Sequence, residues 1–481
     1  MIALSTSALL PFLGQLLGLV VILVGLAQSL FHLALFAIAL FALAMGPPRA
    51  GKRALWSSLV EVAPPLTVLV PARDEEQTIV DSVRALLALQ YPHVRVIVID
   101  DGSRDRTLAR LVEAFGLERR PFASDGPLPH APVRAVWVSP SLDRLLVIEK
   151  ENGGKADALN AGLNLVETEL FCSVDADSLL EADSLLRAVR PFVEDERTVA
   201  VGGTVRVANG CAVHGGRIVS VRLPRSWLAR LQSIEYLRAF VMARLALARL
   251  GALPIVSGAF GIFATAIARA AGGYATWTVG EDLELVLRMV HYAREHDLPH
   301  AVRFVPEPVC WTQVPESLRD LARQRIRWHV GALESLFAHA HMAFRPRYGG
   351  LGLLGLSSMV LFDVLTPLVE LAGFVLLPVF WWTGAIWGEF VLAWLALTFV
   401  AGILVSCGAL LLEELELRRY PRARDLAILA MVAVIENFGY RQLVNLWRVV
   451  GHWRFLRGAR GWGRIHRRPF ETVATTAASR Q

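Results

Sequence analysis

The 481-residue chain is 54% hydrophobic and only 19% charged, with a formal net charge of +6 and four cysteines. That charge fraction is low for a soluble protein, and the apolar residues are bunched: residues 8–46 carry no charged side chain, and residues 349–412 carry only Asp363, Glu370 and Glu389. Cys172, Cys211, Cys310 and Cys407 have neither metal-site spacing nor the density of a disulfide framework, which fits a reducing compartment. The basic residues come without a nucleic-acid-binding motif, so nucleic acid is not an expected partner.

Residues 8–46 lack a basic leader and far exceed a signal-peptide core, so they read as a retained membrane anchor. A span needs ~20 residues. The stretch therefore fits one long tilted helix or a hairpin bent near Gly25, Gln28 and Ser29; one long helix is the expectation. Arg49, Lys52 and Arg53 follow, and such clusters mark the cytoplasmic side. Residues 64–345 have ordinary soluble composition and are expected in the cytosol.

Residues 66–70 are a β-branched run that predicts a buried strand. It enters the polar turn 71–77 and a helix over about 78–89. Residues 94–99 predict a second buried strand, ending in Asp100, Asp101, Gly102 and Ser103, with a helix over 105–115. This alternation predicts parallel strands with right-handed crossovers, the first half of a Rossmann-like fold. Carboxylates at such a strand tip can accept from a nucleobase N–H or a ribose hydroxyl, although Asp-Gly is also a common turn. Residues 117–143, rich in Pro, Ser and Asp, read as a surface insertion. A strand over 145–148 then leads to Lys150, the Gly153-Gly154 turn, Lys155 and a helix over 156–166.

Of 49 basic residues only Lys52, Lys150 and Lys155 are lysines. A chain that otherwise writes arginine uses lysine where a compact ammonium is wanted rather than a planar fork. Lys155, at a helix start on the same sheet edge, reads as a nucleotide contact; Lys150 reads as chance.

Residues 171–174 predict a short buried strand ending in Asp175 and Asp177. Alternate strand residues share a face, which lets both carboxylates point toward the C-terminal mouth where open α/β sheets bind ligands. Two hard oxygen donors beside a diphosphate suit Mg²⁺ or Mn²⁺. The alternative is a helix N-cap with an acidic first turn before residues 179–185.

Residues 199–205 predict a strand with a glycine break. Residues 226–250 predict an amphipathic helix, lying on the membrane surface or packed as an ordinary helix. Small residues over 255–263 allow a close backbone approach. Glu281 and Asp282 precede a helix over 283–295, as a cap or, for Asp282, as a group at the sugar end. Gln324, Arg327 and Trp328 share one face of a helix over about 316–343. They form a sugar-binding set, or a core Trp with polar flanks.

Apolar stretches 351–383 and 389–412 read as membrane passes. Residues 426–435 span only ~15 Å as a helix and are interrupted by Glu436, Asn437 and Arg441. They read as a partial or re-entrant span leading to an amphipathic stretch over 438–456. Eight arginines and no acid lie between Glu436 and Glu471, which places the tail in the cytosol; a full third pass would place it outside.

Six motifs in order, Pro71-Ala-Arg-Asp-Glu-Glu76, Asp100-Asp-Gly-Ser103, Gly153-Gly-Lys-Ala-Asp-Ala-Leu-Asn160, Asp175-Ala-Asp177, Gly280-Glu-Asp282 and Gln324-Arg-Ile-Arg-Trp328, resemble the membrane-embedded glycosyltransferases of family 2. That group includes cellulose, chitin, hyaluronan and poly-β-1,6-N-acetylglucosamine synthases, the last branch being most similar. The resemblance implies an α/β fold, a cytosolic GT-A nucleotide-sugar-binding domain over 64–345 flanked by transmembrane helices. The anchor is then 1–48, the C-terminal membrane region 349–450 and the basic tail 451–481.

The resemblance also implies inverting transfer from an NDP-sugar, UDP-sugar above all, to a growing β-linked polysaccharide at the inner or plasma membrane. A non-processive glycolipid enzyme and an inactive nucleotide-sugar-binding subunit are the alternatives. Asp282 would be the general base. Ala72, Arg73, Glu75, Asp100, Asp101, Lys155 and Asp175 would bind the donor nucleotide. Asp177 with Asp175 would hold Mg²⁺ or Mn²⁺, and Gln324, Arg327 and Trp328 would bind diphosphate and acceptor. Implied partners are the nucleotide-sugar, a carbohydrate or lipid-linked acceptor, membrane lipids and an accessory export subunit. Gly280 stands where many synthases have Thr, and Ala264 where many have Arg.

Overall fold

The structure, a computed structural model, describes residues 6–45, 52–122, 126–416 and 422–458. Arg49 and most of the basic tail, residues 459–481, lie outside the described residues. The chain forms two compact units. Residues 52–229 and 253–316 make an α/β unit. The apolar helices make the other, together with residues 230–252 and 317–345, which the sequence reading grouped with the α/β domain.

The α/β unit contains twelve strands among its described residues. They are β1 (Leu66–Ala72), β2 (Val94–Asp101), β3 (Glu118–Arg120), β4 (Val133–Ser139), β5 (Leu142–Lys150), β6 (Leu170–Val174), β7 (Leu179–Leu180), β8 (Thr198–Val207), β9 (Ala212–His214), β10 (Arg217–Ser220), β11 (Phe260–Ala264) and β12 (Ala301–Thr312). Ten form one sheet, ordered β3-β4-β5-β2-β1-β6-β11-β8-β12-β7, and β9 and β10 form a separate hairpin.

The run β5-β2-β1-β6 is parallel. Its strands are continuous apolar segments because helices and loops cover both faces, the ordinary pattern of a parallel sheet. Leu66, Val68, Leu69 and Val70 of β1 and Val96–Ile99 of β2 have no exposed surface. The chain builds outward from β1 to β2 and β5, then returns to place β6 on the other side of β1. That reversal makes the β1/β6 crevice a topological switch point, the place where open α/β sheets bind ligands beyond their strand ends.

The predicted helices are present with shifted ends: Ile79–Leu87, Thr107–Phe115, Lys155–Asn164 and Glu281–Glu295. Three readings change. Residues 117–143 are not a mere surface insertion, because β3 and β4 lie within them and extend the sheet antiparallel beyond β5. Strand β8 runs unbroken through Gly202 and Gly203, buried along its whole length. The twelve-residue β12, parallel to β8, went unread because Pro306 and Pro308 interrupt its apolar run. Its register shifts between Val305 and Pro308, which is how a strand accommodates proline.

Among the described residues of the helical unit, three helices are long and apolar enough to cross a membrane: Pro11–Ala44, Leu351–Trp382 and Gly388–Leu415. A fourth arises if the pair Ala423–Ile435 and Tyr440–Leu456, bent by 55°, is one span. The N-terminal segment is one helix, Thr6–Ala44. No hairpin forms near Gly25, since Ser29 Oγ bonds the Gly25 carbonyl at 2.7 Å inside the same helix. Residues 230–249 are packed within the unit: Glu235 pairs with Arg325 at 2.7 Å, and Arg238 bonds Ser406 at 2.8 Å and pairs with Glu436.

Phe171 on β6 has no exposed surface, stacks on Phe263 at 5.3 Å and meets Tyr274 edge-on. Truncating such a residue costs about 3–5 kcal/mol. Phe171→Ala is expected to lower the unfolding temperature of the full chain markedly in a thermal melt; an unchanged melting temperature would show that β6 does not organise this core.

Candidate active site

The ends of β1, β2, β5 and β6 bring the predicted residues of the α/β unit to one edge of the sheet. Ala72 closes β1 and pairs with Asp100 on β2. Beyond it the chain turns through Asp74, whose φ of 57° is the left-handed conformation. The turn is tied to the loop after β2: the Asp74 amide donates to Ser103 Oγ at 3.0 Å, Glu75 N–H to Thr107 Oγ1 at 2.8 Å and Glu76 N–H to Asp105 at 3.1 Å. Glu75 Oε2 accepts from Thr78 Oγ1 at 2.9 Å, and Arg73 is exposed.

Asp100 and Asp101, adjacent in a strand, have different surroundings. Asp100 is 3% exposed and its Oδ1 has no hydrogen-bond partner among the described residues. Burial pushes its carboxyl up to about 6, against the lowering effect of hydrogen bonds from Ser103. Asp101 is fully engaged. Its Oδ1 accepts from Lys150 Nζ at 2.8 Å and Gly153 N–H at 2.9 Å, and its Oδ2 from Asn152 Nδ2 at 2.5 Å and Gly154 N–H at 2.9 Å. The reading of Lys150 as chance is corrected: its side chain is completely buried and also pairs with Asp157 at 2.5 Å. Lysine scarcity was the signal for it.

Strand β6 ends at Val174, and Asp175–Ser178 form a turn closed by Ser178 N–H to the Asp175 carbonyl at 2.9 Å. The carboxylates therefore sit on a turn rather than alternating along a strand. The N-cap alternative fails, since residues 179–180 are strand and the next helix begins at Ser184. Asp177 is buried and Asp175 partly exposed.

Lys155 joins these parts. Its ammonium lies 2.7 Å from Asp175 Oδ1, 3.1 Å from Glu281 Oε1 and 3.1 Å from the Gly258 carbonyl, which uses all three donors. Burial alone would lower its pKa, but the charges of Asp175 and Glu281 outweigh this and hold it above the ordinary lysine value. Burial raises the Glu281 carboxyl, with Lys155 opposing. Asp282, partly buried in the first turn of Glu281–Glu295, accepts from Gly258 N–H at 2.8 Å and from Leu283 N–H at 2.8 Å. The peptide groups of Gly258 thus touch both Lys155 and Asp282. Sequence reasoning gave Glu281 no separate role, although it stands beside Asp282 in the same motif.

Gln324, Arg327 and Trp328 belong to the helical unit, on the helix Leu318–Ala338. Trp328 is 43% exposed, so it is not a core residue, and the Arg325 guanidinium lies over its ring at 4.3 Å. Gln324 Oε1 accepts from Arg325 at 3.1 Å. Arg325 itself is buried.

An α/β sheet with this strand order and acidic residues at its switch point is a GT-A glycosyltransferase fold. The family model "Glycosyl transferase family group 2" matches residues 170–410, just over half the chain, and "Glycosyl transferase family 2" matches residues 67–123. The chain belongs to the family 2 glycosyltransferases. It is 25% identical over 271 residues to the poly-beta-1,6-N-acetyl-D-glucosamine synthase of Staphylococcus epidermidis, covering 56% of this chain and 55% of that protein. The enzyme of the same name from Staphylococcus aureus (strain COL) is 26% identical with the same coverage. The chain thus spans about half the length of the curated relatives it matches. Among solved structures, a mannosyltransferase from Pyrobaculum calidifontis in complex with GDP-Man and Mn²⁺ aligns with 94% of this chain and 100% of its own, with a TM-score of 0.55 and 17% identity.

A methyl group on Gly258 would lie 2.9 Å from Lys155 Nζ and 3.2 Å from Asp282 Oδ2. The lysine's flexible end can yield, so Gly258→Ala is expected to fold normally while displacing the ammonium and lowering transfer about ten- to hundredfold, as one lost charge-assisted bond is worth ~1.5–3 kcal/mol. Rates and melting temperature measured together check this; wild-type turnover would mean that the three-way contact is dispensable.

Proposed function

We propose that the chain is a membrane-bound, inverting hexosyltransferase that moves a sugar from a UDP-sugar to a growing β-linked polysaccharide. The observation that carries this reading is the junction of Lys155, Asp175, Glu281 and Asp282 at the sheet's switch point. The synthase relatives support the polymer product, and the three apolar helices support the membrane setting. The basic segments support a cytosolic setting for the α/β unit, at the inner or plasma membrane. A lipid-linked acceptor and an accessory export subunit are the further partners of this reading.

In the proposed reaction the acceptor hydroxyl attacks the anomeric carbon from the face opposite the diphosphate. The new glycosidic C–O bond forms as the bond to the diphosphate breaks, and its electron pair leaves with the diphosphate. Asp282 takes the hydroxyl proton. Its two backbone hydrogen bonds fix the carboxylate's orientation and leave acceptor capacity for that proton. The vacant acceptor of Asp100 suits a nucleobase N–H, flanked by Ala72, Arg73 and Glu75. Asp175 serves the ribose and diphosphate, and Lys155, whose three donors go to Asp175, Glu281 and the Gly258 carbonyl, serves the donor through Asp175. Gln324, Arg327 and the exposed Trp328 are assigned to diphosphate and acceptor sugar, an aromatic face supplying apolar contact.

No group of three or more His, Cys, Asp or Glu side chains among the described residues could hold a metal alone. A paired-aspartate turn fits instead the cation that takes one or two carboxylates and completes its shell with substrate phosphate. Asp177, with Asp175, would hold Mg²⁺ or Mn²⁺, which supplies charge stabilisation to the departing diphosphate.

Asp282→Asn is expected to leave nucleoside diphosphate affinity within a few-fold of wild type while turnover of radiolabelled donor falls ~10²–10⁴-fold. A rate near wild type would return Asp282 to a helix-capping role. Product length in the same assay separates polymer from glycolipid, and absent transfer by the wild type would favour a binding subunit.

A second test uses pH. With its carboxyl raised to about 6, Asp100 is ionised above that pH and protonated below it. The charged form accepts the N–H, so nucleotide affinity should weaken as pH falls through about 6. Stability runs oppositely, because the cost of burying the ionised form is relieved as pH falls. Calorimetric titration on either side of this midpoint should show the loss in wild type and a flat profile in Asp100→Asn. Equal slopes would remove Asp100 from the donor site.

A further inference from the structure

Behind the junction at Lys155 lies a second buried charge cluster. Lys150, the last residue of β5, is fully enclosed, yet its ammonium contacts three acceptors: Asp101 at 2.8 Å, Asp157 at 2.5 Å and the Glu151 carbonyl at 2.6 Å. Burying one ammonium with two carboxylates is costly unless every partner is satisfied. Here the partners are used further. Asp101 receives the amides of Gly153 and Gly154, and Asp157 Oδ2 receives the Ala131 amide at 2.9 Å. The cluster ties together β2, β5, the glycine turn, the helix Lys155–Asn164 and the segment before β4.

The turn favours glycine at both positions. Gly154 has a φ of 94°, and a Cβ on Gly153 would lie 2.2 Å from the Asp157 carboxyl. The next residue is Lys155. Its position against Asp175, Glu281 and Gly258 therefore depends on a turn whose two amides rest on Asp101. Asp101's four acceptor positions are filled by protein donors, which leaves it no free site for a nucleotide.

We propose that Lys150 and Asp101 are positioning residues for donor use: the buried Lys150 holds Asp101 and Asp157 in place, Asp101 holds the Gly153-Gly154 turn, and the turn sets Lys155. Asp101 thus acts on the nucleotide through the turn rather than by contact. The proposal rests on the glycosyltransferase reading above, in which Lys155 serves the donor.

The test is Lys150→Met in the whole chain, with two readouts. Donor KM is expected to rise about tenfold or more, while acceptor KM stays within about twofold. Hydrogen exchange of the peptide spanning residues 151–157 should accelerate, with β6 keeping wild-type protection. A general loss of folding would instead loosen both segments and change both KM values together. Should Lys150→Met not fold, Asp157→Asn removes one of the lysine's two carboxylates and is expected to give the same donor-specific loss. The proposal is overturned by a donor KM within about twofold of wild type in the variant that folds, or by parallel losses for donor and acceptor with unchanged exchange at the turn. Absence of transfer by the wild type would defeat the functional reading alone. Exchange at the turn and UDP affinity, measured without any acceptor, would still decide the role of Lys150.

Discussion

The α/β unit depends on how negative charge is managed at one sheet edge. Asp100, Asp101, Asp157, Asp175, Glu281 and Asp282 gather near the ends of the parallel strands, with Lys150 and Lys155 as the buried or partly buried ammonium groups among them. Carboxylates at such density repel one another in a medium that screens poorly. Each lysine spends its three donors on an arrangement of acceptors that a planar guanidinium fork cannot reproduce. The remaining basic side chains of the chain are arginines, apart from Lys52, so the ammonium groups are placed where their shape is needed.

Much of this was legible in the sequence for a plain reason. The parallel strands are buried on both faces, so they appear as uninterrupted apolar runs, and their polar ends appear as abrupt changes to Asp, Gly and Lys. The helix starting at Lys155 and the helix of Glu281 and Asp282 were located on the same basis. What stayed hidden depends on tertiary pairing. Strand β12 has a proline-broken pattern that becomes a strand only beside β8, and β4 becomes one only beside β5. Which of Asp100 and Asp101 is left open and which is filled cannot be read from a doublet of identical residues. It is set by Lys150, fifty positions downstream in round terms, across a parallel strand pair.

The helical unit poses the opposite electrostatic problem, few charges in an apolar setting. Arg238 with Glu436 and Ser406, Glu235 with Arg325 and Tyr440, and Glu370 with Asn445 each find a polar partner inside the unit. Together with Arg441 donating to Asn437 Oδ1 at 3.0 Å, that pairing explains how Glu436, Asn437 and Arg441 can interrupt an otherwise apolar segment. Isolated, such residues are expensive in hydrocarbon; paired, they fix which helix faces meet. The 55° bend between Ala423–Ile435 and Tyr440–Leu456 falls at this interruption.

The ten-stranded sheet also has two margins. One is β3, three residues long, with Glu118, Arg119 and Arg120 all exposed. The other is β7, two residues long, with Leu179 and Leu180 both buried. A long flat margin would offer unpaired amides and carbonyls to any passing strand. Here one end is short and charged, and the other is short and covered. A sheet this wide can therefore be carried through synthesis and folding without serving as a seed for strand-by-strand growth into neighbouring copies.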